Sequence, residues 1–256
     1  MSIQEASISA NLARIHNQIA DACARAHRPP SNIALMAVSK TNPAEAILEA
    51  IAAGQHLFGE NRVQEFASKS EALALSTPYS LLLTGVPGER SLLAGVVTPC
   101  TFHLIGPLQN NKTSKAAEIF DAVDTLDSEK TASRLNTAAA TLGKTLSILI
   151  EVKLSPEDTK HGIAPEDLPA LLAAIAPLTN LKLSGLMTVP PFADDPETAR
   201  PYFQHLRRLR DENQATYPTL TDLSMGMSND FRVAIEEGST TIRIGTAIFG
   251  KRDYAV

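Results

Sequence analysis

Ile33-Ala34-Leu35-Met36-Ala37-Val38, followed at once by Ser39-Lys40-Thr41-Asn42-Pro43, is the stretch on which the fold reading turns. Its first six residues are apolar with no 3.6-residue period, the pattern of a strand buried on both faces. Asn42 then caps a helix that carries Pro43 in its first position, Ile47 and Ile51 on one face, and Gly54 just past its end. Upstream, Ile8, Leu12, Ile15 and Ile19 recur at helical spacing until Pro29-Pro30 close an extra N-terminal helix.

Downstream the same alternation repeats. Strands are expected at 57–59, 102–105, 119–126, 146–152, 183–189, 223–227 and 241–244. Helices are expected between them, at 63–75, about 111–118, from a Ser128 cap to near Gly143, at 165–178, from Asp195-Pro196 through Phe203, Leu206 and Leu209, and at 229–237. That makes eight strands, each but the last followed by a helix. Strict βα alternation implies a parallel sheet, and eight units are the number that closes a (β/α)₈ TIM barrel. The expected architecture is therefore α/β, one barrel domain over residues 1–256 with an extra N-terminal helix. Residues 76–101, with Pro78, Pro87-Gly88 and Pro99, form one connection longer than a barrel usually carries.

Composition narrows the function classes. A formal charge of −5 argues against nucleic acid or an anionic membrane as partner, since both favour a basic face. Cys23 and Cys100 form no CxxC pair, so neither a disulfide framework nor a zinc site is expected. No basic-then-apolar leader opens the chain, and its apolar runs fall short of the roughly 20 residues that span a bilayer. A cytoplasmic protein is expected.

Active sites of such barrels lie at the carboxyl ends of the strands, with phosphate usually bound after strands seven and eight. Three pieces of sequence fall there. Lys40 ends the first strand, and partial burial at that position favours the neutral amine that Schiff-base chemistry requires. Ser228 closes Ser224-Met225-Gly226-Met227-Ser228 and is expected to cap the following helix, whose free N–H groups attract an anion. Arg243-Ile244-Gly245-Thr246 closes the eighth strand. There Gly245 admits close approach, Thr246 adds a hydroxyl, and Arg243 points to the same face. Each piece alone reads more readily as a surface lysine, a plain cap or a tight turn; their meeting at one barrel end is what gives them weight.

Other motifs fail. Gly245 to Lys251 has GxxxxGK spacing, but Arg252 stands where magnesium needs Ser or Thr. No histidine has metal spacing, and His103, on the third strand near Asn61, reads as structural.

Ala37-Val38-Ser39-Lys40-Thr41, Phe58-Gly59-Glu60-Asn61 with Val63-Gln64-Glu65, and His103-Leu104-Ile105-Gly106-Pro107-Leu108-Gln109 resemble the pyridoxal phosphate homeostasis protein family. So do Gly185-Leu186-Met187, Leu223 to Ser228 and Arg243 to Gly250, in the family's order. The resemblance implies a barrel like the N-terminal domain of alanine racemases, with pyridoxal 5′-phosphate as a Schiff base on Lys40. It implies phosphate contacts from Ser228, Gly245 and Thr246, an Arg243 contact to the pyridine nitrogen, and Asn61, Met187 and Met225 lining the pocket. The long 76–101 connection departs from the family pattern, as does His161 between Lys160 and Gly162.

A cofactor carrier in vitamin B6 homeostasis is the expected function, with no catalytic residue. Pyridoxal enzymes draw electrons into a protonated ring, and an arginine cannot share that proton. The racemases take a tyrosine base from a further C-terminal domain, which is not expected here because only six residues follow Gly250. Tyr202 and Tyr217 lie on or beside an outer helix, Tyr254 in the tail, and Tyr79 in the long connection. Apo-enzymes that use pyridoxal phosphate are the expected recipients, and a monomer is the expected state. The alternatives are a small racemase or decarboxylase with Lys40 as base, or a phosphate-binding barrel enzyme without pyridoxal.

Overall fold

The computed structural model describes residues 7–75, 99–155 and 161–250. Tyr79 and most of the long connection, Lys160, and the tail with Lys251, Arg252 and Tyr254 lie outside the described residues. The strands are β1 (Ala34–Val38), β2 (Leu57–Glu60), β3 (Thr101–Leu104), β4 (Ala122–Leu126), β5 (Leu146–Glu151), β6 (Leu181–Met187), β7 (Asp222–Ser224) and β8 (Thr241–Ile244). All neighbours are parallel, and β8 returns to pair with β1, closing the barrel. Closure leaves no unpaired sheet edge to be protected.

The helices are α1 (Ile8–Arg25), α2 (Ala44–Ala52), α3 (Val63–Leu75), α4 (Thr113–Ile119), α5 (Glu129–Thr141), α6 (Leu168–Ile175), α7 (Arg200–Gln214), α8 (Phe231–Glu236) and α9 (Thr246–Phe249). Strand alternation divides the interior in two. Leu35 and Ala37 of β1 join the apolar cluster shared with the helices, whereas Met36 between them does not. Met36 fills the barrel lumen instead, where a Cβ on Gly59 would stand 2.7 Å from its sulfur. Outside the strands, Phe66 of α3 stacks between Phe102 and Phe120 with centroids 4.7 and 4.8 Å away. The ridge fastens α3, and through it the end of β2, to the barrel wall.

Several boundaries differ from the sequence reading, each for a local reason. Ile119 ends α4 rather than starting β4, because the Phe120 N–H still bonds the Ala116 carbonyl. Leu181 and Leu183 are both buried around exposed Lys182, so β6 starts two residues early. A short helix, α9, also follows the last strand. Ser128 does cap α5, accepting from the Thr131 N–H. Ser228 caps nothing: α8 begins at Phe231 with Asp230 before it. The Asp230 carboxylate instead turns back to accept the Met227 N–H at 2.6 Å.

Candidate functional site

Lys40 lies just past β1, one residue beyond Ser39, and is half-buried. Its neighbours are held from below and behind. Ser39, fully buried, donates its N–H to Gly59 and its hydroxyl to Glu60 at 2.7 Å. Lys69 of α3 reaches the Ser39 carbonyl at 3.0 Å and both Glu60 oxygens at 2.9 and 3.1 Å. Lys69 also pairs with Glu65 at 2.7 Å, and Glu65 accepts the Thr41 N–H at 2.6 Å. Burial pushes the Glu60 carboxyl upward, and Lys69 and Ser39 pull it back only part of the way. For Glu65, half-open at the helix start, burial also pushes upward. There the bonds from Lys69 and Thr41 prevail and hold the carboxyl below its usual range.

Across the rim, β8 lies beside β1, with Ala37 level with Ile244. Gly245 comes next, and a Cβ there would touch the Val38 carbonyl at 3.4 Å, two residues before Lys40. The turns after β7 and β8 meet in one open groove lined by Ser228, Thr246 and Gly250, with Asn11 and Arg14 of α1 on its far wall. Arg14 holds the Ala247 carbonyl at 2.9 Å, which ties the groove's wall to α9. Gly226 permits the first turn: its φ is +97°, and a Cβ would come within 2.5 Å of the Ala234 methyl. Among the described residues, the N–H groups of Ser228, Asn229, Thr246 and Ala247 donate to no protein acceptor. Four donors without a protein acceptor on two adjacent turns suit an anion of several oxygens.

Arg243 lies in the lumen between these two sides, only 4% exposed. Its guanidinium donates to Ser224 Oγ at 2.7 Å and to the Thr188 carbonyl at 2.8 Å. Burial lowers its pKa, with Asp124, Glu151 and Asp230 opposing. An arginine so placed stays cationic. Asn61, just past β2, has a buried Oδ1 with no hydrogen-bond partner. An orphaned acceptor of this kind costs about 1–3 kcal/mol, which a donor from a ligand or a water would relieve.

The structure therefore brings Lys40, Asn61, Arg243, Gly245, Thr246 and Ser228 to one end of the barrel. It parts the two methionines. Met187 stays out of the outer apolar cluster, as a lumen residue does, whereas Met225 belongs to that cluster and is fully buried in it. Because Ser224 points inward to Arg243, alternation turns Met225 outward toward the helices. Only its backbone reaches the rim.

Sequence reading undervalued three features. His103 is a lumen residue whose Nδ1 meets both Asp124 oxygens at 3.1 and 3.2 Å. Burial works to lower its pKa, but Asp124, helped by Asp121 and Asp222, raises it overall. The alternation of His103 and Asp124 with apolar neighbours on two strands was the available signal. The Glu60–Lys69–Glu65 network had a visible half, the i, i+4 pair of Glu65 and Lys69. Asn11 and Arg14 had none, since polar residues on an amphipathic helix ordinarily face water. Among the described residues no three His, Cys, Asp or Glu side chains are placed to hold a metal ion, and no helix is long and apolar enough to cross a membrane.

Comparison with known proteins agrees with this fold. Residues 10–253 match the family model described as alanine racemase, N-terminal domain. The chain is 43% identical to the pyridoxal phosphate homeostasis protein of Vibrio cholerae, over 97% of this chain and 98% of that one. The solved structure of PipY from Synechococcus elongatus, with PLP bound, superposes with a TM-score of 0.78 at 37% identity, covering 95% of this chain and all of that one. An alanine racemase of Clostridium difficile shares the fold, with a TM-score of 0.67 at 12% identity over 94% of this chain and 57% of that one. With near-full-length identity of this order and a barrel superposable on PipY, the chain belongs to the pyridoxal phosphate homeostasis protein family.

Proposed function

We propose that this protein carries pyridoxal 5′-phosphate in vitamin B6 homeostasis, held as a Schiff base on Lys40, and performs no strong catalysis of its own. The observation that carries the reading is the shared rim: Lys40 lies just past the end of β1, and β1 pairs with β8, whose following turn bears, with the β7 turn, the unpartnered N–H donors. Ser228, Gly245 and Thr246 would hold the phosphate. Arg243 would face the ring nitrogen, Asn61 would give its orphaned oxygen to a ring substituent, and Met187 would pack on the ring from the lumen. Met225 contributes through its backbone alone. Pyridoxal phosphate supplies an aldehyde that an amine can capture and, when its ring is protonated, an electron sink.

Two features support a carrier over a racemase, the ring's partner and, more strongly, the lack of a tyrosine base among the described residues at the rim. Arg243 is held by Ser224 and Thr188 and cannot accept a proton, so beside the ring nitrogen it would leave that nitrogen unprotonated and the electron sink weak. The two described tyrosines offer no base at the rim: Tyr202 is in α7, and Tyr217 packs on the outer core beyond it. Delivery to apo-enzymes, a monomeric state and a cytoplasmic setting complete the proposal.

Mass spectrometry after incubation with pyridoxal phosphate and borohydride reduction tests it. The pyridoxyl mass should sit on Lys40 and vanish from the rim in K40A; label confined to other lysines would overturn the assignment. Holo-protein incubated with single L-amino acids should yield no D-isomer and no amine above the free-cofactor rate. Turnover beyond that rate would favour the racemase or decarboxylase reading, with Lys40 as base.

A further inference from the structure

Lys40 is bracketed by residues whose backbone is held from both sides. On its N-terminal side, the amide, carbonyl and hydroxyl of Ser39 are all bonded, to Gly59, Lys69 and Glu60. On its C-terminal side, Thr41 adopts φ +65°, a left-handed conformation that a β-branched residue resists. The Glu65 carboxylate holds the Thr41 N–H there at 2.6 Å. Lys69 joins the two halves, because it bonds the Ser39 carbonyl and both carboxylates.

A buried ion triad is an expensive way to stabilise a strand end, since apolar side chains of similar volume do as well or better. The Glu60 side chain is fully buried and that of Lys69 is 10% exposed, so the desolvation cost here is real. Nothing in the barrel's layering demands it at β2 in particular. What distinguishes the place is that the triad's free valences all end on the residues either side of Lys40.

We infer that Glu60, Lys69 and Glu65 form a positioning clamp that presets the backbone of Lys40, so that its amine meets an incoming aldehyde without a search. The inference rests on Lys40 being the Schiff-base lysine. It adds that Glu65, the outermost and most accessible member, is the side-chain link that holds the conformation of Thr41, alongside the turn closed by the Asn42 N–H on the Ser39 carbonyl. The capture itself forms a C=N bond from the amine nitrogen and expels the aldehyde oxygen as water. The clamp takes no part in those bonds and alters only how often the amine is in place.

The test is timed borohydride trapping with pyridoxal phosphate, reading label on the Lys40 peptide, alongside urea unfolding of each variant. E65A should slow Lys40 labelling by about tenfold, the effect of losing one charge-assisted bond at the reacting residue. E65Q keeps an oxygen for the Thr41 N–H and should stay within about threefold of the parent chain. In E65A/T41G, glycine adopts positive φ without strain, so the double variant should label faster than E65A. Because Glu65 lies at the edge of the triad, all three variants should unfold near the parent's midpoint. Labelling of E65A at the parental rate overturns the clamp while leaving Lys40 as the Schiff-base residue. Equal slowing of E65A and E65Q, or no recovery in E65A/T41G, also overturns it. A parent chain unlabelled at Lys40 removes the underlying reading and the clamp together.

Discussion

On the β1–β2 side of the barrel mouth, Ser39, Thr41, Glu60, Glu65 and Lys69 bond to one another. On the β7–β8 side, the N–H groups of Ser228, Asn229, Thr246 and Ala247 donate to no protein acceptor among the described residues. The first side is satisfied within the chain and therefore stiff before any ligand arrives. The second leaves its donors to solvent and can gain bonds only from something that binds. A site for a phosphorylated aldehyde needs both qualities: an amine that does not wander, and anion donors that are not already spent. Arg243, in the lumen between them, combines the two, since Ser224 and Thr188 fix its plane.

The difference should appear in what each side loses when mutated. On the stiff side, K69M strands the buried Glu60 carboxylate and should cost about 3–5 kcal/mol of stability, read from urea unfolding. A loss below that of an ordinary surface substitution would mean that the triad is not a structural unit.

On the open side, only the turn itself should matter to folding. G226A forces a side chain at φ +97° against Ala234, a strain of about 1–3 kcal/mol with overlap added. S228A and T246A should leave the apo-protein within about 0.5 kcal/mol of the parent. The same two variants should weaken retention of pyridoxal phosphate by about 1.5–3 kcal/mol each, measured by dialysis or fluorescence titration. Unchanged retention in both would show that the side-chain hydroxyls of these turns do not hold the phosphate.

The smallest effect belongs to the lumen pair. Burial opposes the charged form of His103, but Asp124 outweighs it and the folded pKa is raised. The stabilisation from this pair is thus complete below the unfolded histidine value, about 6.5, and is lost as pH rises through the raised folded value. Thermal midpoints of the apo-protein should fall across that window. H103Q should flatten the fall, and a slope that survives H103Q would locate the titration elsewhere.

Much of the architecture is legible because it is local. The run from Ile33 to Val38 lacks a helical period, Ser128 precedes a helix and accepts from it, and Thr241–Ile244 is bounded by turn residues. Where two neighbours compete for the same bond, reading failed. Ser228 looks like a cap because Ser often is one, but the Asp230 and Phe231 N–H groups it would accept bond the Met227 carbonyl instead. Ile119 looks like strand because it is β-branched, yet the helix before it still has a carbonyl to satisfy.

Sequence alone, then, determined the alternation of strands and helices and the placing of Lys40, Gly245 and Thr246 at strand ends. Those properties depend on spacing within a few residues, where covalent geometry dictates which side chains share a face. Only the closed barrel decided that Met187 faces the lumen while Met225 faces the helices, that Asn61 is left without a partner, and that Lys69 bridges Ser39, Glu60 and Glu65. Each of these depends on residues that only strand register and helix packing bring within 4 Å, the range in which hydrogen bonds and ion pairs act.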